Sequence, residues 1–225
     1  MTAGDEMVTN TREQLLQIMD TGQVLIGLEL EGVDLSAAEL EGAFLRQARL
    51  AGADLSYADL TRANLFGADL QSADLHGAYL FGCELNCADL RKASLRESDL
   101  DDACLGEADL READLTRASL SQARLEGANL GGAVLYAADL TGAWLRRTDL
   151  CGADLRTAMC GAVILVQADL TGADLTGADL RRANLRGAKV SRTQLQQVAV
   201  LDDAVLPDGS CHVAGGQVGS GNLNL

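Results

Sequence analysis

The stretch ADLTGADLTGADL, residues 168–180, repeats one five-residue word, and its frame runs through nearly the whole chain. From Leu25 to Val200 there are 36 positions spaced by five, of which 33 are Leu; the exceptions are Cys160, Val190 and Val200. Two residues before each centre stands a small residue, Ala in 27 of the 36, with Cys83, Ser98, Thr148, Val163, Thr193 and Val198 among the replacements. Such self-similarity constrains the fold more than any propensity does. A period of five walks about 140° around a helix at each step, which scatters the leucines over every face. In a straight strand an odd period places successive leucines on opposite sides. The pattern is satisfied by a chain that turns a corner once per pentad, so that each Leu and the Ala two before it point inward together. Such a chain winds into a solenoid whose coils lie ~4.8 Å apart and contact only their neighbours.

The word Ala-(Asp/Asn)-Leu-x-x, carried over about residues 22–203, resembles the motif of the pentapeptide-repeat proteins. The resemblance implies an all-β fold, a right-handed quadrilateral β-helix with four pentads per coil. Thirty-six pentads then make about nine coils, a rod of roughly 40 Å at the strand spacing. Inside runs a column of Leu flanked by Ala, each Leu worth about 1.5–3 kcal/mol of burial. Gly two after the centre, as at Gly27, Gly32, Gly42, Gly52 and Gly67, suits corners with positive φ.

The open ends of a solenoid need covers. Residues 1–21 are expected to hold a short capping helix, with Leu15, Leu16, Ile18 and Met19 as its apolar residues and Thr11 with Gln14 as its capping box. The β-helix is expected over 22–206, with Val198, Val200, Leu201, Val205 and Leu206 closing the last coil. Residues 207–225 open on PDGS, end Gly-rich, and read as a flexible tail.

Net charge is −15, which disfavours direct binding to a nucleic-acid backbone. The charge is uneven: residues 22–110 hold 17 acidic and 6 basic side chains, and residues 111–203 hold 11 of each. The opening MTAGDEMVTN is polar and acidic, and no apolar run approaches membrane-spanning length. A cytoplasmic protein without membrane contact is the expectation, with its six cysteines as free thiols.

Nothing in the sequence assembles a nucleophile, an acid and a base. His76 falls on a solenoid wall and His212 in the tail; Cys83 takes an inward position and Cys87 an outward one, so they diverge, and Cys160 reads as a small core residue. The expectation is a protein that is not an enzyme and uses no cofactor or metal.

With the four-pentad coil taken from the resemblance, residues twenty apart stack. The position before each centre then gives one column with Asp69, Asp89 and Asp109, a second with Asp34, Asp54 and Asp74, and a third with Glu39, Asp59, Asp99, Asp139 and Asp179. Like charges ~4.8 Å apart repel by roughly 0.9 kcal/mol per pair in water. Two readings account for these ladders. In one, Asp and Asn bond to corner backbone groups and belong to the fold. In the other, carboxylate ladders imitate duplex phosphates, as the resemblance to gyrase-protecting quinolone-resistance proteins implies, making the chain a modulator of a type II topoisomerase. That lineage carries Phe at many centres and a dimerising C-terminal segment; here no centre is Phe and the end is Gly-rich.

A fourth column differs: Val24, Phe44, Asn64, Glu84, Cys104, Arg124, Trp144, Ile164 and Asn184, with Phe66 and Val166 just after their centres. Trp144, Ile164 and Val166 form the expected protein-contact face, with Phe44 and Phe66 further along it. The leading function is thus a non-enzymatic binding or scaffold rod whose partner is another protein or a second copy of itself.

Overall fold

The computed structural model describes residues 26–212 of the chain, and the N-terminal cap residues Leu15, Leu16, Ile18 and Met19, with Val24 and Leu25, lie outside them. Backbone pairing is parallel and steps by twenty: Glu29 pairs with Arg49, Asp34 with Asp54, Glu39 with Asp59 and Phe44 with Asn64, and each ladder climbs on in the same steps. Twenty residues per coil is four pentads per coil. The rod is therefore a four-sided β-helix, each side one short bridge wide.

In a pentad with Asp or Asn before the centre every N–H finds an acceptor, which is the reason the motif exists as a unit. In Ala53–Tyr57, Ala53 N–H closes a turn onto Leu50 O (3.0 Å), and Asp54 N–H reaches back one coil to Val33 O (2.9 Å). Leu55 N–H reaches forward to Asp74 O (2.7 Å), and Tyr57 N–H forward to His76 O (2.9 Å). The fifth donor, Ser56 N–H, bonds to Asp54 Oδ1 at 2.9 Å. Three donors thus join coils, one makes the corner, and one depends on the side chain before the centre.

Each corner takes positive φ at the second residue after the centre, with a bond from the centre's carbonyl to the third, as in Ala58 N–H to Leu55 O at 3.1 Å. That combination is a type II turn. Glycine serves at Gly172 and Gly177, but Ala37, Tyr57, Arg62, Thr157 and others hold the same left-handed conformation. At Gly77 a side chain is excluded twice over, because φ is +62° and the Tyr57 ring lies 2.6 Å from where a Cβ would stand. Thr157, at φ 57°, is the one β-branched residue among these corners. Left-handed backbone costs an L-residue roughly 1–2 kcal/mol, less for Asn. Thr157→Asn is therefore expected to stabilise the rod by about 0.5–1 kcal/mol, a melting temperature higher by ~1–4 °C. A lower melting temperature would refute the strain.

The interior is as the repeat implies. Leu35 through Leu150 at the centres, and Ala at almost every position two before them, are buried. The polar substitutes are satisfied: Ser98 Oγ donates to Leu95 O (2.7 Å) and Thr148 Oγ1 to Leu125 O (2.8 Å). Cys83 Sγ donates to Ala63 O at 3.1 Å, and burial pushes its thiol and that of Cys160 up to about 12. Cys87 is exposed, so the two cysteines of residues 83–87 do diverge.

The frame slips near the end. Helix α1, Arg192–Leu195, opens on a capping box in which Gln194 N–H bonds to Ser191 Oγ (3.2 Å) and Ser191 N–H to Gln194 Oε1 (2.8 Å). The Gln194 amide also donates to Leu170 O (2.6 Å) and Ala173 O (2.8 Å) of the coil before. One extra residue is absorbed, so Asp179 pairs with Val200 and Asn184 with Val205. Val200 is accordingly a wall position and Leu201 the buried centre, followed by Ala204 and Leu206. The boundary expected at 206 moves as well. Beyond Leu206 the chain folds back on itself, with Gly209 N–H to Leu206 O, Leu206 N–H to Ser210 O and His212 N–H to Ala204 O, each 2.8 Å. Val205 and Cys211 pair antiparallel, so residues 207–212 are ordered turn rather than tail. No helix among the described residues is long and apolar enough to cross a membrane.

Candidate protein-binding face

The corner bond explains the acidic ladders. Oδ1 of Asp34, Asp54, Asp69, Asp74, Asp89 and Asp109 each accepts the N–H two residues on, at 2.9–3.2 Å. The ladders stack as expected, Asp69 on Asp89 on Asp109 and Asp34 on Asp54 on Asp74. Several of their charges are also cancelled locally. Where the word reads Asp-Leu-Arg, the arginine folds back over its own aspartate: Arg91 on Asp89, Arg111 on Asp109, Arg156 on Asp154 and Arg181 on Asp179, each with Nη2 2.6 Å from Oδ2. Lys189 Nζ lies 2.7 Å from Asp169 of the coil before. The signal for this pairing in the sequence is the recurring Asp-Leu-Arg, whose partners meet across a corner rather than along a column.

These contacts hold carboxyls below their ordinary range: Asp109, Asp154 and Asp179 through hydrogen bonds from Arg111, Arg156 and Arg181, and Asp169 through Lys189. Depressed folded values add stability above the unfolded carboxyl pKa of about 3.9, lost as pH falls through the folded values. Melting temperature is expected to be flat from pH 7 to 5 and to drop below about pH 4. The drop is modest because the pairs are solvent-screened. A melting temperature unchanged down to pH 2 would refute the linkage.

The fourth column gives up the corner bond more often than the other three. Phe44, Arg124, Trp144 and Ile164 have no side-chain acceptor to offer, and among the described residues of the column only Asn64 and Asn184 make the bond, to Phe66 N–H and Arg186 N–H at 3.2 Å. Each such bond is worth about 0.5–1.5 kcal/mol net, so this face forgoes fold stability in favour of other side chains. Arg124, Trp144, Ile164 and Asn184 follow one another in consecutive coils. Trp144 is 44% exposed, Ile164 and Val166 are half-buried, and the Arg124 guanidinium lies 6.0 Å from the Trp144 ring. Phe44 and Phe66 are not part of that patch. Asn64, Glu84, Cys104 and Arg124 separate Phe44 from Trp144 along the column, and the Phe66 ring is covered by Arg46 at 4.6 Å.

Of the other exposed apolar side chains, Tyr79 and Phe81 flank Leu80 within one pentad and the rest are dispersed. Tyr57 packs edge-on to His76 (5.1 Å), Tyr136 carries Arg156 over its ring (5.5 Å), and Tyr79 and Met159 lie four coils apart on the third column. Among the described residues no group of three His, Cys, Asp or Glu side chains converges as a metal site would require. Two shallow depressions flank α1, one beside Lys189, Ser191 and Gln194 and the other beside Leu201 and His212; in the first, Lys189 is held by Asp169 and Ser191 Oγ donates to Gln194 Oε1.

The family model described as Pentapeptide repeats matches in 8 copies over residues 29–66, 58–96, 93–132, 133–160 and 164–198. Among solved structures, HetL of the cyanobacterium Nostoc sp. strain PCC 7120, a protein involved in heterocyst differentiation regulation, is 34% identical with a TM-score of 0.73, over 90% of this chain and 99% of its own. Rfr23 of the cyanobacterium Cyanothece 51142 is 31% identical over 42% of this chain and 62% of its own, with a TM-score of 0.36. QnrB1, a plasmid-mediated fluoroquinolone resistance protein, is 18% identical with a TM-score of 0.49, over 80% of this chain and 81% of its own. No curated protein sequence matches.

Proposed function

Since the chain belongs to the pentapeptide-repeat family, we propose that it is a non-enzymatic scaffold, a right-handed rod of about nine coils that binds another protein through Trp144, Ile164 and Val166. The observation that carries this reading is the fourth column's departure from the motif. On the first two walls the residue before the centre mostly serves the corner and on the third it does so at every second coil, whereas here Trp144 and Ile164 follow each other in consecutive coils and do nothing for the fold that Asp would not do better. Side chains retained against the fold's own preference are the ones a partner uses. HetL, similar over nearly its whole length, is described as regulatory, and a regulatory role through protein contact is consistent with such a face.

The alternative, a modulator that mimics duplex DNA through Asp69, Asp89 and Asp109 or Asp34, Asp54 and Asp74, has less support. Oδ1 of each of those residues is engaged at its corner, and Asp89 and Asp109 are neutralised by Arg91 and Arg111. The experiment that decides is Trp144→Asp with Ile164→Asp, read by crosslinking in cell extract. Loss of the wild-type protein's crosslinked partner supports the scaffold face, and an unchanged set of partners refutes it.

A further inference from the structure

On a protein of net charge −15, the surroundings of Trp144 carry the opposite sign. Arg124, Arg146, Arg147, Arg182 and Arg186 are all exposed and all border the Trp144, Ile164 and Asn184 positions; the acids on the same corner positions are Glu126 and, in the coil stacked on Arg182, Asp202 and Asp203. The motif explains why they are available. Elsewhere Asp-Leu-Arg folds the arginine onto its aspartate. Here the words are Trp144-Leu-Arg146 and Asn184-Leu-Arg186, so the clamp has no carboxylate, and Arg124 occupies the column itself. Among the described residues none of the five has a carboxylate within ion-pair distance; Arg124 rests over Trp144, and Arg147 Nε donates to Gln167 Oε1 at 3.1 Å.

We propose that this half of the fourth face docks an acidic protein segment, its carboxylates on Arg146 and Arg186 and an apolar side chain against Trp144 and Ile164. The proposal rests on the scaffold reading and specifies its partner. Arginine forks pair bidentately with carboxylates, and Trp with Arg is the composition of interface hot spots. Phosphate would suit the same forks, but a duplex longer than these three or four coils, roughly 15–20 Å, would run onto the acidic half of the rod and be repelled. An acidic peptide needs only the patch. Two copies of the patch repel each other, which excludes a face-to-face dimer.

Trp144 is the single tryptophan, so its fluorescence reads the site directly in the full-length protein. The probes are a dodecapeptide of alternating Glu and Leu, its Lys-Leu counterpart and a 20-base-pair DNA duplex, each at 50 mM and 300 mM salt. The Glu-Leu peptide is expected to bind, to weaken at least tenfold with Arg146→Glu plus Arg186→Glu, and to weaken with salt, while the Lys-Leu peptide leaves Trp144 unchanged. Equal binding by wild type and variant, or absence of Glu-Leu binding at 50 mM salt, overturns the proposal. So does tighter binding of the duplex, which assigns the face to nucleic acid, or self-association abolished by the arginine reversal, which assigns it to the acidic half of a second copy. A crosslinked partner lost with Trp144→Asp and Ile164→Asp but kept by the arginine reversal overturns the acidic partner and leaves the scaffold reading standing. Retention in both variants overturns both.

Discussion

Leu105→Lys will break the rod in its middle. Leu105 has no exposed surface, and the centres one coil away on its side, Leu85 and Leu125, are buried with it. An ammonium there has no route to water, because leucines lie along the column and backbone walls it on the four sides. Burying the charge, or deprotonating the lysine to avoid doing so, costs several kcal/mol. The net stability of a domain is about 5–15 kcal/mol, and each kcal/mol shifts melting by roughly 2–4 °C at this size. A loss of more than 10 °C is the expected result in a thermal melt followed by circular dichroism. Because coils contact only neighbours, the break should open from the middle, with the flanking pieces melting as separate steps. Leu105→Met, which conserves volume, should cost under about 1.5 kcal/mol. A melting temperature for Leu105→Lys within 3 °C of wild type would mean that the side chain does not point into the column.

The second large effect concerns binding with the fold held constant. Trp144→Asp and Ile164→Asp install the motif's own residue at two positions that lack it. Each new carboxylate stands two residues before an N–H, that of Arg146 or Val166, of the kind that Asp54 and Asp149 already satisfy at 2.9 Å in other corners. The double variant should therefore melt at or slightly above the wild-type temperature. Affinity for a crosslinked partner should nonetheless fall by two orders of magnitude or more, since truncating a central hot spot costs about 2 kcal/mol or above and two are removed. Loss of binding without loss of stability cannot come from unfolding. Retained affinity would show that the partner uses another wall.

The solenoid and its inward residues were legible because the period is short and the frame nearly unbroken. Leu at every fifth place leaves one way to bury them all, and the Ala two before each centre can be read by the same count. What the count misread was Val200. A four-residue helix with a Ser191–Gln194 capping box absorbs one residue and passes the inward role to Leu201. The SRTQ signature was visible in the sequence, but whether a helix interrupts a coil depends on Gln194 reaching the carbonyls of Leu170 and Ala173, more than twenty residues away in the chain. The turn at 207–212 was hidden likewise, since its closing bond runs to Ala204.

Composition along the columns gave the apolar fourth wall in outline, and stacking then divided it. Phe44 and Phe66 share its character without sharing the patch, because coils of Asn64, Glu84 and Cys104 intervene and Arg46 covers one ring. The acidic ladders went the other way: prominent as columns, they prove to be tied into corners and arginine clamps.

By itself the sequence determined which side of the wall each residue of the repeat occupies, because a five-residue period with Leu and Ala in two phases dictates inward and outward before any contact is known. Only the tertiary structure decided which outward residues are spent on the fold and which are free for a partner. That distinction depends on whether a side chain meets its own corner's N–H, an ion of opposite sign or open water, and these are properties of neighbours twenty residues apart.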